Sequence, residues 1–218
     1  MKVLVFDTET NGLPVGFNPS IFKTALWPHL LQLSCILYDI ENDILLAQED
    51  WIIKVADEIP ISKEITAING ITKLQCKRLG EPIGDVLNEF NKLITRADKI
   101  LAHNISFDKR VIMVESIRNK QSCNLSQRSE FYRPEFCTMK AGKSICQIEK
   151  LDKYGKIYYK YPKLSELHVA LFGQTPNNTH DATVDILICL RCFCQMKFNF
   201  DIYTKNAKIK KIVQEYEI

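Results

Sequence analysis

The 218-residue chain predicts an α/β domain, a mixed central sheet flanked by helices. Three observations carry that expectation. Residues 2–7, 30–40 and 44–53 are short apolar runs, and the last two are separated by Glu41-Asn42-Asp43, which is turn chemistry, so the chain starts antiparallel. A run with helical spacing over 83–97 precedes a strand-like run, KILAHN at 99–104, and a helical stretch at 107–119 follows it. Strands, helix, strand and further helices, in that order, give a mixed sheet covered on its faces.

Each element has a local reason. KVLVFD at 2–7 is nearly all apolar with β-branched members, the pattern of a buried strand, and TNGLP after it is turn chemistry. Residues 63–69 and 72–79 read as short helices around the Asn69-Gly70 break. Val86, Leu87, Phe90, Leu93 and Ile94 repeat at helical spacing within 83–97. Residues 164–172 and 181–196 read as two further helices. The segment 120–162 has the weakest pattern, is rich in Lys and Tyr, and is expected to be loops with a small hairpin around Tyr154-Gly155. The last residues, 201–218, read as a charged tail or helix behind a single domain over 1–200.

The composition, 46% hydrophobic and 25% charged with 8 Gly and 8 Pro, excludes a collagen-like or disordered chain. A net charge of +3 permits nucleic-acid binding without arguing for it. The 8 cysteines are scattered, no secretory signal precedes them, and no apolar run reaches the roughly 18 residues of a membrane span. An intracellular protein with free thiols is expected, cytoplasmic or nuclear, neither secreted nor membrane-associated.

The chemistry sits in acidic residues. Asp7 and Glu9 are two apart at the end of the first strand, so their side chains share one face. Crowded like charges call for a cation, and a hard divalent ion prefers carboxylate oxygens. Spacing alone leaves open that the strand has ended and both groups are solvated. Asp108, in the first turn of the helix after KILAHN, suits either a helix-dipole charge or a ligand. In HDATVD, Asp181 suits an N-cap, His180 lies at the mouth of the helix, and Asp185 lies one turn in beside apolar Val184, Ile186 and Leu187.

Together these residues resemble the DEDD exonuclease superfamily in its histidine variant, which includes the epsilon proofreading subunit of bacterial DNA polymerase III, RNase T and the TREX-like DNA exonucleases. The first motif, D-x-E-T-x-G-L, stands here as DTETNGL from Asp7 to Leu13; the second, H-N-x-x-F-D, runs from His103 to Asp108; the third, H-x-A-x-x-D, runs from His180 to Asp185. EITAINGIT at 64–72 is similar to the family's A-x-x-H-G-I-T stretch, with Asn69 in place of the histidine. KLSELHVALFG at 163–173 is similar to the helix before the third motif.

The resemblance implies a ribonuclease H-like fold and an exonuclease domain over 1–200. It implies 3′→5′ hydrolysis of DNA from its 3′ end, releasing nucleoside 5′-monophosphates by a two-metal mechanism. The metal ligands would be Asp7, Glu9, Asp108 and Asp185, holding two divalent cations, Mg²⁺ or Mn²⁺. His180 would be the general base, and its ordinary pKa near 6.5 suits that role. Thr10 and Leu13, with Asn104 and Phe107 opposite, would contact the terminal nucleotide. The partner implied is a single-stranded 3′ end, DNA ahead of RNA, with a polymerase partner or a homodimer open. An exoribonuclease and a non-catalytic nucleic-acid-binding module with a vestigial site are the alternatives. Cys189, Cys192 and Cys194 fall within one amphipathic helix and are expected to be buried thiols rather than metal ligands.

Overall fold

In the computed structural model, which describes residues 1–177 and 181–216, Lys2–Thr10 forms one strand, β1. Its two faces divide the core. Leu4 and Phe6 point into one apolar cluster and Val3 and Val5 into another, as strand alternation requires. The strand runs three residues past the expected 2–7. The ladder to the second strand, β2 (Leu30–Asp39), continues through Asp7↔Ser34 and Glu9↔Gln32, with a bulge between Glu9 and Thr10. β2 is buried along all its residues, a strand covered on both faces. The turn expected at 41–43 leads into β3 (Ile44–Ile52), the outer strand.

Two short helices, α1 (Lys63–Asn69) and α2 (Lys73–Leu79), follow, then α3 (Ile83–Arg96). The helical stripe Val86, Leu87, Phe90, Leu93 and Ile94 is buried, and Phe90 meets Phe6 edge to face with ring centroids 5.3 Å apart. β4 (Lys99–Ala102) lies parallel to β1. Asn104 at φ 64° turns the chain into α4 (Ile105–Arg118), so the strand is shorter and the helix starts earlier than expected. Asn tolerates this left-handed conformation better than most residues.

The expectation of loops over 120–162 is corrected in part. Glu135–Cys137 forms β5, parallel to β4, and Thr138–Cys146 forms α5. A three-residue strand is too short to show a period, and its place is set by pairing with β4. The hairpin expected at Tyr154-Gly155 is present as β6 (Glu149–Leu151) and β7 (Ile157–Tyr159), a separate two-stranded sheet with Gly155 at φ +77° in its turn. Next come α6 (Leu164–Phe172) and α7 (Ala182–Phe198). Residues 201–215 form α8 (Ile202–Lys205) and α9 (Ala207–Glu215), whose Ile209 and Val213 join the apolar cluster of α7.

The central sheet has the order β3-β2-β1-β4-β5, with the first three strands antiparallel and the last three parallel. α3 and α4 cover the Leu4/Phe6 face, and α7 with α8 and α9 covers the Val3/Val5 face. Cys189, Cys192 and Cys194 are buried free thiols on α7, as expected. No helix among the described residues is long and apolar enough to cross a membrane.

Candidate active site

The strand register builds the site. Asp7 and Glu9 continue the Val3/Val5 face of β1, so they point at α7. α7 starts at Asp181, whose side chain accepts from Thr183 N (2.9 Å) and Val184 N (3.2 Å), the N-cap expected there. One turn in, Asp185 faces the strand. Carboxylate oxygens of Asp7, Glu9 and Asp185 all lie within 4.8 Å of one another.

Asp108 comes from the other face. Its Oδ1 accepts from Thr8 Oγ1 (2.7 Å) and Thr8 N (3.2 Å), and Thr8 continues the Leu4/Phe6 face towards α4. Asp108 is buried and lies outside the group of three, yet it raises the pKa of both Asp7 and Glu9 by repulsion. Four carboxylates thus converge on the carboxyl end of β1 from two faces of the sheet.

Their ionisation reflects the crowding. Burial, then repulsion from Asp108, Asp185 and Glu9, holds the Asp7 carboxyl well above the usual carboxylate range. Burial and Asp185 push Glu9 up to about 8, against a hydrogen bond from Asn69 that lowers it. Burial raises Asp108 to about 7 although its bonds to Thr8 oppose the shift. Such a cluster favours a proton or a cation. Oxygen-only donors at this spacing fit a hard divalent ion, so Asp7, Glu9 and Asp185 could hold one, with Asp108 beside it.

A fifth acid on the same face is excluded from this set. Asp50 on β3 pairs across from Ser34 and accepts from Ser34 Oγ (2.5 Å) and Gln32 Nε2 (2.7 Å). Its charge is already met by donors.

The residues expected at the terminal nucleotide divide. Leu13, Asn104 and Phe107 line one open cleft of about 310 Å³ together with Trp27 and Arg110. Leu13 is 78% exposed, an apolar side chain available to a ligand. Thr10 is buried and does not line this cleft; its hydroxyl donates to Gly12 O (2.7 Å) and holds the turn that carries Leu13. Asn104 also lines a second cleft, of about 510 Å³, with Asp185, Tyr161, Pro162 and Lys163. His180 lies outside the described residues.

Three contributors have no role that the sequence by itself assigned. Thr8 holds Asp108, and strand alternation next to Asp7 was the signal that could have found it. Asn69 reaches Glu9 and also donates to Thr10 O (3.4 Å). His103, inside the second motif, joins three elements: Nδ1 contacts Thr138 Oγ1 (2.9 Å) and Nε2 contacts Pro162 O (3.1 Å). Burial lowers its pKa to about 4, so it is neutral, donates from Nε2 to the carbonyl and accepts at Nδ1.

The family model described as Exonuclease (RNase_T) matches residues 4–193. No curated protein sequence matches the chain. Among solved structures, Escherichia coli exonuclease I in complex with a dT13 oligonucleotide superposes with a TM-score of 0.67 at 19% identity, over 89% of this chain and 41% of that one. The zinc-bound complex of E. coli exonuclease I with single-stranded DNA gives 0.65 at 19%, over 98% and 43%. Exonuclease I of Methylocaldum szegediense gives 0.64 at 16%, over 93% and 42%. At these identities the likeness is one of fold, the mixed sheet and flanking helices of the ribonuclease H-like exonucleases. The chain spans about two-fifths of the length of the exonuclease I chains it matches. The matched residues hold all four converging carboxylates, and the chain belongs to the exonuclease family of the DEDD superfamily.

Proposed function

We propose that the chain is a divalent-metal-dependent 3′→5′ exonuclease of the histidine variant, acting on single-stranded DNA and releasing nucleoside 5′-monophosphates. The convergence of Asp7, Glu9 and Asp185 within 4.8 Å, with Asp108 alongside, carries this reading. Mg²⁺ or Mn²⁺ suits ligands that are all oxygen.

Asp7, Glu9, Asp108 and Asp185 would hold two cations, and the raised carboxyls of Asp7, Glu9 and Asp108 would bind them as anions in place of protons. When bound, the cations supply Lewis acidity at the phosphodiester and a ready source of hydroxide near neutral pH. His180, five residues before Asp185 in the third motif, accepts the proton of the attacking water at an imidazole nitrogen. Leu13 and Phe107 pack on the terminal base, a contact that tolerates any sequence. Asn104, between the two clefts, orients the terminal nucleotide, and Thr10 fixes the turn beneath it. DNA stands ahead of RNA because the exonuclease I structures of the same fold carry dT13 and single-stranded DNA.

The test is digestion of 3′-labelled single-stranded DNA, duplex DNA and RNA with Mg²⁺, Mn²⁺ or EDTA. Single-stranded DNA should be shortened from its labelled end only with a divalent cation. Asp7→Ala should abolish this. His180→Ala should slow turnover by roughly two to four orders of magnitude while binding persists. Activity that survives both EDTA and Asp7→Ala would refute the metal reading, and faster loss of RNA would transfer the substrate to the exoribonuclease alternative.

A further inference from the structure

The β6–β7 hairpin, with the residues that lead out of it to Lys163, is one of the basic stretches of the chain, alongside Lys205–Lys211. Residues 149–163 hold five lysines against Glu149 and Asp152, a net of +3, which equals the formal charge of the whole protein. The same stretch holds four tyrosines, of which Tyr154 is 81%, Tyr158 48% and Tyr161 50% exposed. Register places Lys150 opposite Tyr158, and strand alternation puts Lys156 on the Tyr158 face. Ammonium groups and rings therefore share one surface. Lys150, Lys153, Lys156 and Lys163 make no ion pair among the described residues; Lys160 alone is paired, to Glu166 at 2.6 Å.

The hairpin is also joined to the carboxylates. β7 runs into Tyr161, Pro162 and Lys163, which form a wall of the cleft containing Asp185 and Asn104. His103 holds Pro162 from the end of β4, and the Lys160–Glu166 pair ties the base of the hairpin to α6. Seven positions separate Tyr154 from Tyr161, so at about 3.3 Å per residue an extended arm spans at most roughly 23 Å.

We propose that this hairpin is a binding arm for single-stranded nucleic acid, engaging the nucleotides that lie 5′ of the scissile phosphate. The inference rests on the nuclease reading of the carboxylate site. A strand whose terminal nucleotide occupies the Leu13–Phe107 cleft passes Asn104 and continues through the second cleft to the arm. Its bases stack on tyrosine rings and its phosphates meet the lysines.

The experiment compares Tyr158→Ala and Lys150→Ala/Lys156→Ala with the wild type, by fluorescence anisotropy in EDTA, on a dinucleotide and on a long single-stranded oligonucleotide. All three positions are exposed, so the fold should persist, and unchanged melting curves will establish this. Affinity for the long strand should fall about tenfold or more for the stacking variant. In the lysine variant the slope of log affinity against log salt should become shallower by about 1.4. Dinucleotide binding should not move. Equal losses on both ligands, no loss on either, or an arm that binds phosphatidylserine vesicles and not the oligonucleotide would each overturn the proposal. Length-dependent binding that persists in a wild type unable to hydrolyse DNA with Mg²⁺ would sink the nuclease reading and leave the arm standing.

Discussion

Thr8 stands between two acids, Asp7 and Glu9, and faces away from both. Its hydroxyl and its amide bind Asp108, so one strand presents two carboxylates on one face and positions a third from the other. Thr8→Val keeps the β-branched shape and removes one donor. Asp108, already near 7, should rise further because a bond that stabilises its anion is gone. Cation binding needs that anion, so activity at neutral pH should drop by roughly tenfold to a hundredfold and recover as pH rises. Asn69→Ala should act in the same direction through Glu9. A pH–rate profile measured at several Mg²⁺ concentrations checks both, and a loss that is the same at every pH would mean that these side chains only support packing.

α4 serves the site with both of its ends. Its first turn carries Asp108, and its last turn carries Arg118, which donates to Thr24 O (2.5 Å), Trp27 O (2.6 Å) and Pro28 O (2.8 Å) and pairs with buried Glu115. Arg118 therefore fixes the segment that places Trp27 in the wall of the Leu13–Phe107 cleft. Arg118→Ala leaves the Glu115 charge buried beside fewer partners and should destabilise the fold by about 3 kcal/mol. Urea unfolding measures that cost. KM for single-stranded DNA should rise as well, because the cleft wall is released. A variant as stable as the wild type would show that the segment is held by its apolar contacts alone.

At the scale of the whole molecule, the carboxylate cluster couples stability to pH and to cations. Glu9 moves from 4.5 to about 8 and Asp108 from 3.8 to about 7 on folding. Between those values the folded state binds more protons than the unfolded one, so stability falls as pH rises. Without cations, these two groups favour the folded state most below about pH 4, and the melting temperature should decline by several degrees from pH 5 towards pH 8. Divalent cations replace the protons, so the rise they produce should be larger at pH 8 than at pH 5. Melting curves with EDTA and with Mg²⁺ across that range test this. Curves that stay flat with pH and do not respond to Mg²⁺ would remove the cluster as a cation site.

Local chemistry in the chain determined the α/β class, the first three strands, the stripe of α3 and the order of the three acidic motifs. Apolar period and residue spacing are properties of consecutive residues, and they survive without knowledge of what lies opposite. Tertiary structure alone decided that Asp108 reaches the site through Thr8, that Asn69 touches Glu9, and that His103 bolts a basic hairpin to the rim. It also decided β5, whose three residues become a strand only because β4 offers a ladder. These contacts join residues tens of positions apart, and register, not sequence spacing, sets which of them meet.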